Sequence, residues 1–277
     1  MIKTKNLRKE DKNMKLGVIG AGNMASAIVG GILKKGLIPA NEIVMSTPVE
    51  AERDKAAANF GVNVSADNAE VIKQSDTVIF AVKPQVIPYV IGEVKDVIDD
   101  STLFISIVAG KSIAWYEEAV GKSFKLVRTM PNTPALVNEG MTGVSPAAKV
   151  TKEELEKALE ILRSFGHAEV VPEKLMDAVV SVSGSSPAYV FIMIEAMADG
   201  AVKLGMPRAQ AIEFAAQAVY GSAKMVLETG KHPAELKDMV CSPAGTTIEA
   251  VRVLEACGFR SALIEAMDAC ADISKKL

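Results

Sequence analysis

The chain has 277 residues, which at about 150 residues per domain corresponds to two domains or one large one. Its 31 basic and 34 acidic residues give a formal net charge of −3, and this balance argues against a nucleic-acid-binding protein, whose surface usually carries a basic excess. Apolar residues make up 49 % of the chain, enough for a globular core. We find no apolar run near the roughly 18–20 residues of a membrane span, and we expect no membrane association.

Cysteine usage and the N-terminal segment indicate the compartment. The three cysteines, Cys241, Cys257 and Cys270, form no C-x-x-C pair, which is typical of packed thiols in a reducing environment. The two histidines are too far apart for a paired metal motif, and we expect no metal. Residues 1–13 are polar and basic and contain no apolar signal core, so we interpret them as a disordered tail and expect a cytoplasmic protein.

The first predicted element is a strand at residues 15–19 (KLGVI), followed at once by GAGNMA and an apolar-periodic helix pattern. Strand, glycine turn and helix form the context in which a G-x-G pattern indicates dinucleotide binding. Gly20 would make the tight turn and Gly22 would let the backbone approach a pyrophosphate. A helix beginning near Asn23 and Met24 would direct its positive end at the phosphates. The alternative is an ordinary glycine-rich β–α turn.

Short strand patterns then alternate with helical patterns. This alternation predicts an α/β fold whose N-terminal part is a Rossmann-like doubly wound, mostly parallel sheet. A T-x-x-E capping box at Thr151 opens the helix before the last strand, and we expect Gly166 to close that helix. The further strands are predicted at residues 42–45, 62–64, 77–82, 103–108, 125–128, 142–145 and 168–171.

After about Glu173 the sequence contains helix patterns and almost no strand signal. We therefore predict a Rossmann NADP-binding domain at residues 14–173 and an all-helical domain at residues 174–277. The helix beginning at Ser186 is apolar except for one narrow polar stripe, so we expect it to be buried on most sides. A helical region this apolar is typical of a dimerisation domain.

The end of the second strand indicates the cofactor. NAD sites usually carry an Asp or Glu there, roughly 20 residues beyond the glycine turn, to hold the ribose 2′-hydroxyl. This chain has Ser46 and Thr47 instead, with Arg53 a turn or two further on. A carboxylate would repel a 2′-phosphate, whereas hydroxyls can donate to it, so we predict NADP(H), with NADH as a second donor. Glu50 and Glu52 lie close by and oppose this preference.

The stretch CSPAGTTIE at residues 241–249 predicts an anion site. Thr246 and Glu249 fit a capping box that would begin a helix at Thr246. The N–H groups of Gly245, Thr246 and Thr247 would then lie together at a positive helix end, which suits a small carboxylate substrate. The alternative is a stable helix start with no ligand.

Four segments together resemble Δ1-pyrroline-5-carboxylate reductases, in the same order, from about Met14 to near the C-terminus. The SPxGTT segment is that family's own signature. Two departures are small: Ala244 stands where the family commonly has Gly, and Ser186 stands where SGSGPAY is usual. The four segments are AVKPQ (81–85), RTMPNTPA (128–135), SGSSPAY (183–189) and SPAGTTIEAV (242–251).

The resemblance implies reduction of the cyclic imine 1-pyrroline-5-carboxylate to L-proline by hydride from NAD(P)H, the final step of proline biosynthesis. It implies that Thr247 is the catalytic hydroxyl near the ring nitrogen, and that the backbone of Gly245, Thr246 and Thr247 holds the carboxylate. It also implies a homodimer or a ring of dimers, with residues 174–277 serving dimerisation and substrate binding. The cofactor positions that it implies, with those at the neighbouring strand ends, are Thr47, Asn68, Ala81, Val82, Lys83, Pro84, Val108, Ala109 and Glu173.

Two other functions stay open from the residues. Another NADP-dependent imine or β-hydroxyacid reductase would share the glycine turn and carry, on its inter-domain helix, a lysine that acts as the catalytic acid. Here Lys203 and Lys224 lie in helical stretches but in no recognisable catalytic motif. A non-catalytic nucleotide sensor would use SPAGTT only as a helix cap. Turnover of NADPH with pyrroline-5-carboxylate separates all three.

Overall fold

The computed structural model describes residues 15–276, so the predicted tail at residues 1–13 lies outside the described residues. An eight-stranded sheet with the order β3-β2-β1-β4-β5-β6-β7-β8 forms its N-terminal part. Strands β1 to β6 are parallel, β7 is antiparallel to β6, and β8 is parallel to β7. The predicted doubly wound, mostly parallel sheet is confirmed. The strands are β1 Leu16–Ile19, β2 Ile43–Ser46, β3 Asn63–Ser65, β4 Thr77–Phe80, β5 Leu103–Ser106, β6 Leu126–Met130, β7 Gly140–Pro146 and β8 Gly166–Val170.

Helices cover both faces of the sheet and form the C-terminal region. Those that accompany the sheet are α1 Asn23–Lys34, α2 Glu50–Phe60, α3 Asn68–Lys73, α4 Ile87–Val94, α5 Ile113–Val120, α6 Lys152–Leu162 and α7 Met176–Val179. A π-helical turn at Val180–Gly184 follows α7. The remaining helices are α8 Ser186–Lys203, α9 Arg208–Thr229, α10 Pro233–Val240, α11 Thr246–Ala256 and α12 Phe259–Ser274.

Each face of the sheet has its own apolar core. On one face, α1 packs through Ile28 and Ile32 into a cluster that includes Phe165. On the other face, Phe80 and Phe104 stack with ring centroids 5.5 Å apart among the residues of α4 and α5. Because both faces are covered, the central strands are buried along their whole length, which is the typical setting of a parallel sheet.

The chain divides into two compact units, the second of which is Ser185–Asp272. The division falls eleven residues beyond the boundary that we predict from the end of the strand pattern, since the segment after Glu173 is helical but packs on the sheet. The Asn132 side chain donates to the carbonyl oxygen of Ser183 over 3.0 Å, and Val179 leaves no room for a side chain on Gly143. The domain limits themselves stay a prediction.

The second unit exposes apolar surface. In α8 only Ala198 is fully buried among the residues described, and the side chains of Phe191 and Ile192 are 62 % and 66 % exposed. The expectation that this helix is buried on most sides is therefore wrong for a single copy of the chain. Surface of this kind on a folded protein marks an interaction site.

The structure refines two further expectations. Gly166 closes the helical run one turn later than α6 itself ends: the C-cap of α6 is Arg163, a 3₁₀ turn at Arg163–Phe165 follows, and Gly166 is the C-cap of that turn. Gly166 also begins β8 with φ of 156°, and a side chain on it would collide with the backbone of Gly140. The helical stretch Glu173–Lys203 is, by length and composition, apolar enough to cross a membrane, with a mean hydropathy of 1.3 over its most apolar window. Polar residues interrupt this stretch, so the sequence shows no continuous apolar run of that length. Core helices of globular proteins meet the same criterion.

Two adjacent glycines of α1 provide a matched test of the packing on the sheet. A Cβ on Gly31 would lie 2.9 Å from the Cβ of Phe165, whereas a Cβ on Gly30 would make an ordinary contact with Phe60 at 3.7 Å. We predict that Gly31→Ala lowers the free energy of unfolding by about 1–2 kcal/mol through overpacking. Gly30→Ala should raise it by about 0.5–1 kcal/mol through helix propensity. Urea unfolding at one fixed protein concentration measures both, and shifts of the same sign would contradict this account of α1.

Candidate functional site

The cleft of the sheet lies where the chain connections change direction. Strand β1 has β2 on one side and β4 on the other, and ligands bind at such a switch point beyond the carboxyl ends of the strands. A cleft of about 340 Å³ opens there. Its lining residues are Ile19, Gly20, Ala21, Gly22, Ser46, Thr47, Pro48, Glu52, Ala66, Asn68, Ala81, Val82, Lys83, Val86, Tyr89, Val90 and Glu93.

The glycine turn has the geometry of a phosphate cradle. Gly20 has φ of 114°, and a Cβ on it would collide with the carbonyl oxygen of Ala81, so only glycine fits. A Cβ on Gly22 would point into open space. Gly22 is the N-cap of α1, and among the described residues no side chain caps this helix. Its first N–H groups are therefore available to an anion, and the turn fits the pyrophosphate of a dinucleotide.

The predicted 2′-phosphate residues already hydrogen-bond to neighbouring side chains. The Thr47 hydroxyl donates to Oε2 of Glu52 over 2.8 Å, and Arg53 donates from Nη1 to the carbonyl oxygen of Thr47 over 2.7 Å. The Thr47 side chain is buried, whereas Glu52 lies at the exposed edge of the cleft. This end of the cleft combines a hydroxyl, a guanidinium and a carboxylate.

A second chain of hydrogen bonds extends from the fully buried Ser46. Its hydroxyl donates to Oδ1 of Asn68 over 2.8 Å, and Nδ2 of Asn68 donates to Oε2 of Glu93 over 2.8 Å. Glu93 lies on α4, as does Tyr89, whose side chain is 78 % exposed. Neither of these two residues of α4 is among the predicted site residues. The signal for them in the sequence is an aromatic residue and an acid, four residues apart, on the helix after β4.

The loop after β5 is supported by a buried polar pair and lies one strand away from β4. Val108 donates its N–H to Oγ of Ser106 over 3.2 Å, and that hydroxyl also lies 2.6 Å from the Tyr116 hydroxyl. Burial raises the pKa of Tyr116, so the phenol stays neutral and serves as a hydrogen-bonding group.

The predicted cofactor residues outside the cleft lining are Asn23, Met24, Pro84, Val108, Ala109 and Glu173.

Glu173 lies in a different place from the other predicted cofactor residues. Its Oε1 accepts from the backbone N–H of Ile113 over 2.8 Å and from Nη1 of Arg128 over 2.9 Å. These bonds connect the first turn of α5 with β6. Glu173 lines a separate cleft with Pro172 and Val171. In the structure this carboxylate therefore links α5 to β6 and does not line the cleft at the ends of β1, β2 and β4.

The signature loop lies in the second unit, at the start of α11. The helix begins at Thr246 as predicted, but its N-cap is Gly245, and among the described residues no side chain caps it. The predicted Thr246–Glu249 capping box is wrong, because Thr246 is already the first helical residue and Glu249 pairs with Arg252 at 2.7 Å. That hydrogen bond lowers the pKa of Glu249.

The missing cap changes what the helix start can do. The N–H groups of Thr246 and Thr247 have no side-chain cap within the part of the chain that the structure describes, so they can bind a carboxylate. The loop is tightly shaped: Ala244 has φ of 53°, and a Cβ on Gly245 would collide with Oγ of Ser242. Strain of this kind is concentrated at ligand-binding loops.

Among residues 15–276, Cys241, Cys257 and Cys270 form no disulfide, and no group of three or more His, Cys, Asp or Glu side chains is placed so that it could hold a metal ion.

Comparison with known proteins identifies both parts of the chain. Residues 173–277 match the family model described as pyrroline-5-carboxylate reductase dimerisation, and residues 15–110 match that of NADP oxidoreductase coenzyme F420-dependent. A pyrroline-5-carboxylate reductase of Escherichia coli is 54 % identical over 266 residues, covering 95 % of this chain and 98 % of that protein.

Solved structures agree with this relationship. A pyrroline-5-carboxylate reductase from Coxiella burnetii superposes with a TM-score of 0.90 at 34 % identity, covering 95 % of this chain and 98 % of that one. Pyrroline carboxylate reductase from Plasmodium falciparum, solved with NADP bound, gives a TM-score of 0.87 at 32 % identity, with coverages of 95 % and 98 %.

Proposed function

Because the chain belongs to the pyrroline-5-carboxylate reductase family, we propose that it reduces 1-pyrroline-5-carboxylate to L-proline with NADPH, the final step of proline biosynthesis. The observation that carries this proposal is the 54 % identity to the Escherichia coli enzyme over 95 % of the chain. The two anion-ready helix starts, at Gly22 and Gly245, support it, since the reaction needs one for a pyrophosphate and one for a carboxylate. The alternative reductases and the nucleotide sensor have no comparable support.

NADP is the cofactor, and its reduced form, NADPH, would supply the hydride when bound. The N–H groups at the start of α1 hold the pyrophosphate, with Gly22 providing room for close approach. Thr47 and Arg53 lie at the end of β2, where the adenosine ribose binds in folds of this type. The guanidinium offers further N–H donors and a positive charge to the 2′-phosphate. NADH serves as a second donor.

Substrate binding is assigned to the start of α11. The N–H groups of Thr246 and Thr247 hold the carboxylate, and the Thr247 hydroxyl hydrogen-bonds at the ring nitrogen. The N–H of Gly245, which the sequence also predicts to bind the carboxylate, instead donates to the carbonyl oxygen of Ser242 over 3.1 Å. Protonation of the ring nitrogen gives the iminium, hydride then adds to the imine carbon, and the C=N π electrons become the lone pair of the neutral amine nitrogen. The balance is one hydride and one proton per proline formed. A threonine hydroxyl is a weak acid, so Thr247 orients the iminium rather than supplying its proton, which comes from water.

Self-association would cover the apolar surface that the second unit exposes. The chain acts on a small-molecule substrate and carries a dimerisation region. We infer that two copies bury the apolar face of α8, with Phe191 and Ile192 at its centre, and that dimers assemble further into a ring. On this proposal the membrane-length stretch Glu173–Lys203 is covered by protein, and the enzyme works in the cytoplasm without nucleic acid or membrane.

The first prediction from the proposed function concerns cofactor preference. NADPH should give a higher kcat/KM than NADH, because the positive charge and the remaining N–H donors of the Arg53 guanidinium favour the 2′-phosphate. Thr47→Asp should erase or reverse that preference by charge repulsion. Steady-state kinetics with both cofactors at saturating substrate measure the ratio. Equal use of the two by the unmodified enzyme would contradict the assignment of this end of the cleft.

The second prediction concerns Thr247. Thr247→Ala removes the hydroxyl at a position where no side chain of the described residues caps the helix, so folding should be almost unaffected. Loss of one positioned hydrogen bond in the transition state should lower kcat by about 10- to 1,000-fold. The NADPH dissociation constant should stay the same, and Thr247→Ser should retain much of the activity. A parental rate for the alanine variant would limit the loop to carboxylate binding.

The third prediction concerns assembly. Because α8 exposes large apolar side chains in one copy, sedimentation at low micromolar concentration should show dimers or larger species and no folded monomer. Ile192→Glu, at the exposed face of α8, should disrupt assembly. A compact and active monomer of the unmodified enzyme would show that one chain satisfies these faces by itself. Recovery in a membrane fraction would instead favour insertion of Glu173–Lys203.

A further inference from the structure

The carboxylate of Glu52 occupies an unexpected place for an enzyme that uses NADPH. It lines the cleft at the end of β2 and accepts the Thr47 hydroxyl proton over 2.8 Å. Thr47 is buried and Glu52 is exposed, so the acid reaches back over the threonine from the first turn of α2. A negative charge at this edge opposes a 2′-phosphate and suits a free 2′-hydroxyl, which can donate to it.

We propose that Glu52 is the specificity-determining residue for NADPH against NADH in this enzyme, and that it limits the preference for the phosphorylated cofactor. The proposal rests on the cofactor site assigned above and goes beyond it by naming the group that weakens the discrimination. Arg53 and Glu52 are adjacent residues with opposite effects on a 2′-phosphate. Their balance, rather than the hydroxyls alone, sets the ratio of the two cofactors.

Two physical effects act through Glu52. A hydroxyl has one proton, so while Thr47 donates to Glu52 it presents only its lone pairs to a phosphate. The carboxylate charge also repels the phosphate charge, an effect that solvent at the exposed edge of the cleft reduces without abolishing. Glu93, the other acid of the cleft, accepts from Asn68 and is bound to the chain of bonds that starts at Ser46.

The test uses adenosine fragments, so that it reads binding without turnover. The full-length enzyme is titrated by calorimetry with adenosine 2′,5′-bisphosphate and, separately, with ADP, which lacks the 2′-phosphate. Glu52→Gln keeps an acceptor for Thr47 and removes the charge. We expect it to bind the bisphosphate about tenfold more tightly, and to bind ADP no more tightly than the parent does. Glu52→Ala, which also releases the Thr47 hydroxyl, should increase the bisphosphate affinity at least as much.

Glu50→Gln is the matched control. Glu50 lies in the same first turn of α2 and is exposed, but it does not line the cleft. Glu50→Gln therefore changes the net charge of the chain by the same amount as Glu52→Gln without changing the cleft. An unchanged ratio of bisphosphate to ADP affinity in both Glu52 variants would overturn the proposal, as would an equal gain in Glu50→Gln. Because neither fragment is turned over, failure of the proposed reductase activity would leave this result readable, and the kinetic NADPH-to-NADH ratio of Glu52→Gln then confirms it in the reaction.

Discussion

The close approach of β1 to the end of β4 is the constraint on which the site depends. Ala81 donates its N–H to the carbonyl oxygen of Ile19, and Gly20 donates its N–H to Ser46, each over 2.8 Å. Three strand ends are thereby fixed around one residue, Gly20, whose φ of 114° and contact with the Ala81 carbonyl exclude any side chain. The cleft, the orientation of α1 and the placement of Ser46 follow from that junction. A substitution there would have to separate backbone from backbone.

At the end of β2, an acid and a guanidinium with opposite effects on a 2′-phosphate lie next to each other. Thr47 is bonded at its hydroxyl by an acid and at its carbonyl by a guanidinium, from consecutive residues of one helix. A rigid acid in the strand itself would commit the site to one cofactor. On the proposal made above, the exposed Glu52 on the neighbouring helix instead repels the 2′-phosphate with a strength that salt reduces. A site of this kind would favour NADPH without excluding NADH.

Much of the fold could be predicted from sequence because its signals are local. The alternation of strand and helix, the glycine turn at Gly20 and the capping box at Thr151 each appear within a few residues, and the structure contains them. Gly166 shows the limit of this approach. Its role is set by the backbone of Gly140 on the neighbouring strand, a contact that spacing along the chain does not indicate.

The candidate site was predictable in part for the same reason. Strand ends that are adjacent in the sheet gave Ser46, Thr47, Asn68 and Lys83 as lining residues, but the side-chain partners of Thr47 and the contribution of α4 depend on three-dimensional packing. The capping box predicted at Thr246 is wrong because a T-x-x-E pattern can also lie inside the first turn of a helix, and only the backbone conformation decides which residue is the first of the helix. The boundary near Glu173 likewise depends on packing, since a helical segment can belong to a sheet domain.

The apolar face of α8 also affects how the protein is made. The sheet unit can bury its core from its own chain, whereas on the proposed dimer α8 becomes covered only when a second copy arrives. The last step of folding is then bimolecular, and its rate rises with the square of the concentration of finished chains. Slow synthesis would prolong the interval in which Phe191 and Ile192 face solvent, the condition under which chains aggregate or are degraded. The abundance of active enzyme should therefore respond more than proportionally to its rate of expression.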